Sequence, residues 1–300
     1  MTPQSRDRAA VLAALLLVQV FFGFHYLAAK RVMTEMPPLA YASLRAAGGA
    51  LLVLGVALAL RRSFPSAADA RLLGLWSVLG VVINQIFFVE GLYRTTAIHS
   101  ALLNGAIPVM TLLAAVGLGR ERMTGLKALS VALAVGGVLL ILRPSATALA
   151  SGTLLGDELT LLNGTSYALF LVLAKRVLGR TDALAATAVM LACGAVLIGL
   201  LSLPAWAGFD PSAISAGAWA WLAFAVVFPT AGAYLLNNYA LARADASVVA
   251  LFIYLQPLIA AALAVVRLGE HPPPATWVGG ALVFAGVFLA LRPTTRPATA

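Results

Sequence analysis

Apolar residues in this chain fall into blocks of roughly 18 to 25, each closed by a short polar, charged or proline-bearing break. A hydrocarbon core of ~30 Å needs about 20 helical residues at ~1.5 Å each, so the pattern predicts membrane-spanning helices. Ten are predicted, over 9–30, 39–60, 72–93, 98–118, 125–142, 154–177, 184–205, 217–241, 246–267 and 275–291. Breaks stand at Met36-Pro37-Pro38, Arg61-Arg62-Ser63-Phe64-Pro65, Arg143-Pro144-Ser145, Asp210-Pro211 and His271-Pro272-Pro273-Pro274. Two further breaks are short, Tyr93-Arg94-Thr95-Thr96 and Ala242-Arg243-Ala244-Asp245, and their likeness is informative. The stretch from Ala9 is too long for the h-region of a secretory signal, so it reads as a retained first helix.

Sliding the chain along itself exposes a repeat. At an offset of 149, Arg94 meets Arg243, Ala97 meets Ala246, Pro108 meets Pro257, Glu121 meets Glu270 and Gly137 meets Gly286. Arg143-Pro144 meets Arg292-Pro293 without a gap. Earlier, Ala29-Lys30-Arg31-Val32 matches Ala174-Lys175-Arg176-Val177 at an offset of 145. Two related halves follow, 1–149 and 150–300, with five spans in each. Five is odd, so the second half must enter the membrane from the opposite side. The fold class expected is an all-α integral membrane protein, ten helices as two inverted five-helix repeats around a central cavity.

Charge fixes an expected orientation. With the N-terminus inside, the inner segments at 6–8, 61–71, 120–127, 175–180, 243 and 292–296 hold fourteen of the 20 Lys and Arg residues. The outer segments hold five: Lys30, Arg31, Arg94, Arg143 and Arg267. Positive charge concentrates on cytoplasmic loops, so both termini are expected in the cytoplasm. Composition agrees with the class: hydrophobic residues make 62% of the chain, charged ones 10%, and mean hydropathy is +0.97. The net charge of +9 comes without a basic run interleaved with aromatics, which argues against nucleic acid. Cys193 is the single cysteine, so no internal disulfide or multi-cysteine metal site can form. The three histidines lie well apart, no HExxH is present and no acids are paired mid-span, which argues against an intramembrane enzyme.

The 94–144 and 243–293 segments share a short arginine-containing turn, a helix with a central proline, a Gly/Glu turn and a Gly-rich last helix. Leu268-Gly269-Glu270, followed by Trp277-Val278-Gly279-Gly280-Ala281-Leu282, carries the pattern most plainly, and the first half departs with Gly119-Arg120-Glu121. In these features the chain resembles the drug/metabolite transporter superfamily, specifically the ten-helix bacterial exporters of the EamA type. The resemblance implies inverted repeats around a cavity of alternating access in a bacterial inner membrane, with no cofactor. It implies export of small solutes, amino acids of the neutral or aromatic kind first, with hydrophobic drugs or organic cations as the alternative. The expected partners are the solute and the bilayer, and the expected state is a monomer or weak dimer.

Polar groups within a lipid-embedded span must face a cavity or a partner helix. Val18, Phe21, Phe22 and His25 lie on one helical face, and the 145 offset sets them against Asn163, Ser166, Tyr167 and Phe170. Phe22, His25, Asn163 and Tyr167 are therefore candidate substrate contacts, with ordinary interhelical packing as the other reading. Asn84 and Phe88 in span 3, with Tyr234 and Asn237 in span 8, extend the list. Asn104 precedes Pro108, and Tyr254 and Gln256 precede Pro257; these three are also candidates, beside the carbonyls of Asn104 and Ile253, which a mid-span proline four residues later frees. Two readings stand for Arg45: a partner for a substrate carboxylate, or a side chain that snorkels or bonds carbonyls. Glu90 is expected to pair with Arg94, and Asp157 and Glu158 to favour a helix N-terminus. No residue is expected to be catalytic or to bind a metal.

Overall fold

The computed structural model describes residues 3–142 and 152–290. Its helical segments are α1 (Pro3–Val32), α2 (Pro38–Ala59), α3 (Ala67–Arg94), α4 (Ala97–Gly117) and α5 (Gly125–Leu142), then α6 (Thr153–Leu178), α7 (Ala183–Leu201), α8 (Ala216–Arg243), α9 (Val248–Leu268) and α10 (Pro274–Ala290). Among the described residues there is no strand, and nine segments are long and apolar enough to cross a bilayer. The tenth, α10, has a shorter apolar stretch, Pro274–Gly286. Arg143-Pro144, Arg292-Pro293 and the boundary at 149–150 lie outside the described residues.

Local chemistry places the breaks. Ser66, Thr96, Asp182 and Ser215 each accept a backbone N–H of the helix that follows, the role that short oxygen-bearing side chains serve at helix starts. The Thr95-Thr96 break, only two residues wide, holds because Thr95 is extended and Thr96 bonds the N–H of His99. The predicted end of span 7 at 205 moves back, since α7 stops at Leu201 and Leu203–Trp206 is a separate 3₁₀ turn opened by Pro204; spans 1 and 3 begin earlier than predicted, at Pro3 and Ala67.

The packing is inside-out relative to a water-soluble domain. Leu51 is 72% exposed and Val266 76%, whereas Gln19, Arg45, Gln85 and Asn163 are buried. An apolar exterior with polar groups gathered inside is what a lipid solvent selects. The chain has an all-helical membrane fold. α5 packs on α10 and α2 on α7; α6 packs on α3 and α4, as α1 packs on α8 and α9. Exchanging α1–α5 for α6–α10 maps that set of neighbours onto itself.

Backbone irregularities fall in register as well. α3 contains a π-helical stretch, Val78–Ile83, and α8 contains one at Val226–Gly232. Adding 149 to the first gives 227–232. A π turn leaves carbonyls without their usual intrahelical donor and widens the helix, and such turns cluster at functional sites. Here the Tyr234 hydroxyl donates to Gly80 O at 3.0 Å and the Thr230 hydroxyl to Ala225 O at 2.7 Å.

Candidate solute cavity

The π stretches sit beside a central cavity of about 50 Å³. Its wall draws Phe22, His25 and Tyr26 from α1, Arg45 from α2, Asn84 and Phe88 from α3, and Asn104 and Ile107 from α4. Asn163 and Tyr167 of α6, Tyr234 of α8 and Gln256 of α9 complete it. The repeat register explains why these residues converge. Phe22 and Tyr167 are partners at an offset of 145, and Ile107 and Gln256 at 149, so each half supplies matched positions to one hollow.

Hydrogen bonds hold the wall in place. Asn163 Nδ2 donates to Asn84 O at 2.7 Å, fixing α6 to the end of the α3 π stretch. Tyr234 Oη lies 3.2 Å from Asn84 Oδ1, and Gln85 Nε2 donates to the same hydroxyl at 3.4 Å. Asn104 Nδ2 donates to Tyr26 Oη at 2.9 Å, and Gln256 Nε2 donates to Gln19 Oε1 at 2.7 Å. His25 stacks on Phe88 at 4.8 Å between ring centres, and Tyr26 meets Phe88 edge-on at 5.3 Å. Two buried wall atoms have no partner, Nε of Arg45 and Oδ1 of Asn104. A buried polar atom without a partner forgoes a bond it would make in water, which favours a ligand that supplies one.

Nine of the eleven candidates named from sequence therefore meet at this cavity. Asn237 is not brought there: it is buried but outside the lining. It lies three residues beyond Tyr234, about a sixth of a helical turn round, and Tyr234 fills the cavity side of α8. The Tyr254 side chain lies outside the described residues. Phe21 of the predicted α1 stripe turns to Phe228, with ring centres 5.3 Å apart, and Phe170 is fully buried against Gly80. Glu90 and Arg94 form the expected pair. Sequence reasoning did not single out Tyr26 or Ile107. Tyr26 continues the i, i+4 row Val18, Phe22, Tyr26, and Ile107 is the register partner of Gln256, so both signals were present. Among the described residues no group of three or more His, Cys, Asp or Glu side chains is arranged to hold a metal.

Comparison with known proteins gives the cavity its setting. The pattern of the EamA-like transporter family matches residues 9–143 and again 154–292. An uncharacterized transporter of Archaeoglobus fulgidus is 30% identical over 75% of this chain and 77% of its own length. A protein of Streptantibioticus cattleyicolor named "Probable terminal-alkyne amino-acid exporter" is 31% identical over 85% of this chain and 84% of its own. An uncharacterized transporter of Bacillus subtilis is 28% identical, covering 92% of both chains. A solved crystal structure with 18% identity matches with a TM-score of 0.67 over 95% of this chain and 96% of that one, a likeness of fold alone.

Proposed function

The chain belongs to the EamA-like transporter family, and from that premise we propose that it exports small organic solutes, neutral and aromatic amino acids foremost, by alternating access to the central cavity. It is a multi-pass membrane transporter and not an enzyme. The observation that carries the finer reading is the wall itself: amide, tyrosine and phenylalanine side chains from both halves converge on one hollow inside an apolar bundle. Amides and hydroxyls suit the polar end of an amino acid, and the rings suit an apolar side chain. The S. cattleyicolor relative, by its printed name, points the same way.

On this reading the two halves are inserted oppositely, in a bacterial inner membrane with both termini in the cytoplasm, and they rock about the cavity. The protein works as a monomer or weak dimer with solute and lipid as its partners. Support for the inversion comes from α5 and α10. Gly137 lies against Gly279 and Gly286 against Ser130, so residue numbers rise along one helix as they fall along the other. Equivalent helices that run antiparallel are what an inverted repeat requires.

Purified protein in proteoliposomes, screened for flux with amino acids first, tests the proposal. Asn104→Leu or Gln256→Leu should lower flux about tenfold or more, the order expected when a buried hydrogen-bonding group facing a polar solute is removed. Folded yield should stay close to that of the unaltered chain. Undiminished flux in both variants would dismiss the cavity as the solute site.

A further inference from the structure

Among the described residues, Arg45 is the one charged side chain in the cavity wall. It is the eighth residue of α2, about 10 Å below the start of that helix, and only 2% of it is exposed. Its Nη1 lies 2.8 Å from His25 Nε2, and its guanidinium lies over the Tyr41 ring at 5.6 Å. Tyr41 Oη is itself 2.9 Å from His25 Nε2. A guanidinium has hydrogens to give and no lone pair to offer. His25 Nε2 therefore accepts, which makes the ring neutral and leaves the arginine charge uncompensated. Among the described residues no carboxylate stands within ion-pair distance of Arg45, and its Nε has no partner at all. It bonds no backbone carbonyl and it does not reach the surface, so the snorkelling reading fails on position.

An isolated cation inside a membrane protein is costly, and a partner is expected. No carboxylate or carbonyl of the described residues supplies one, and the guanidinium lines the cavity, where a solute would meet it. We propose that Arg45 is the carboxylate-binding residue of the cavity, and that the transported solute carries a carboxylate. The proposal rests on the cavity being the transport site. Carrying the 145 register into α2 sets Arg45 against Met190 of α7, so the charge sits on one wall only. The free Oδ1 of Asn104 and the rings of Phe22 and Tyr167 are left for an ammonium and an apolar side chain. A hydrophobic cation would meet the unbalanced guanidinium with no acid in the wall to offset it. The alternative substrate class, drugs of organic-cation type, is thereby disfavoured.

Three probes on the full-length protein in detergent or proteoliposomes separate the possibilities: phenylalanine, 3-phenylpropionate, which lacks the ammonium, and phenylalaninamide, which lacks the carboxylate. Ligand-dependent thermal protection and competition for flux are the readouts. The two carboxylates should bind, with the amide at least ~30-fold weaker, in line with loss of a desolvated charge partner. Arg45→Gln should bring phenylalanine down to the level of the amide, and Arg45→Lys should keep part of the preference. Equal binding of amide and acid by the unaltered protein would overturn the assignment without any variant having to fold. If phenylpropionate binds through Arg45 but no amino acid is moved, the amino-acid reading falls and the carboxylate site stands. If amino acids are moved and Arg45→Gln moves them equally well, the site falls and the transport reading stands. Silence from all three probes and from leucine would overturn both.

Discussion

Gly279→Val should leave little folded protein after extraction, a loss of about 3 kcal/mol or more of packing energy if any survives. A Cβ at residue 279 would lie 2.7 Å from Gly137 O and 2.7 Å from Ile141 Cγ1. On the facing helix a Cβ at 137 would lie 2.5 Å from Gly279 O, and one at 286 would lie 2.5 Å from Ser130 O. Backbone presses on backbone here, so swinging the Ile141 side chain aside cannot by itself make room. Lipid tails are as apolar as the helices, so association rests on close packing, and small residues permit it. Separating α5 from α10 by even ~1 Å would lose contacts along the whole seam, since dispersion falls steeply with distance. Gly136→Val is the control. Nothing lies within 4 Å of a Cβ built at 136, so that variant should keep its yield, its elution as a single species and its melting temperature. Equal recovery of both variants would show that the seam does not hold the bundle.

The sequence carried a good deal of this seam. A gapless register that matches Gly137 with Gly286 and Pro108 with Pro257 can be read without coordinates. What it could not supply was which glycines meet backbone and which face open space, because Gly136 and Gly137 differ only by the ~100° between neighbouring helical positions. The cavity shows the same division. Polar residues in apolar spans announce themselves, and nine of eleven candidates reach the wall. Direction within a span was harder to read, because the π stretches shift the helical register ahead of Asn84 and Asn237. Arg45 stayed open between two readings because both depend on where its head lies, and that is set by His25 and Tyr41 on either side of it. Asp157 was read as a favourable charge near a helix start. It also works as a tie: Thr95 Oγ1 donates to it, and His99 Nδ1 lies 3.2 Å away. Long-range partners of that kind leave no local signal.

Asp157 belongs to a set of contacts at one end of the cavity, and Glu270→Ala should open that end. Lys30 Nζ donates to Thr95 O at 2.6 Å, and Arg31 Nη2 to Arg267 O at 2.9 Å. The carboxylate of Glu270 accepts from the backbone N–H groups of Ala97 at 2.7 Å and Ile98 at 3.0 Å, which pins the start of α4 to the α9–α10 turn. The opposite end repeats only part of this. Lys175 Nζ donates to Ala244 O at 2.5 Å, the register counterpart of the Lys30 contact. Glu121, the counterpart of Glu270, instead pairs with Lys127 on its own turn at 2.8 Å. One end is therefore held by an acid on a helix start and the other is not. Each carboxylate-to-amide bond is a charge-assisted one, worth about 1.5–3 kcal/mol. Losing two of them should shift the opening equilibrium at least tenfold, since ~1.4 kcal/mol is a factor of ten. In a Cys193→Ser background, Ser100→Cys places a thiol one turn inside the latch, at a position that is fully buried. A membrane-impermeant thiol reagent added from the side bearing Lys30 should label it at least ~10-fold faster once Glu270 is alanine. Glu121→Ala should not speed labelling from that side. Equal rates with and without Glu270 would mean that the acid caps α4 without gating the cavity.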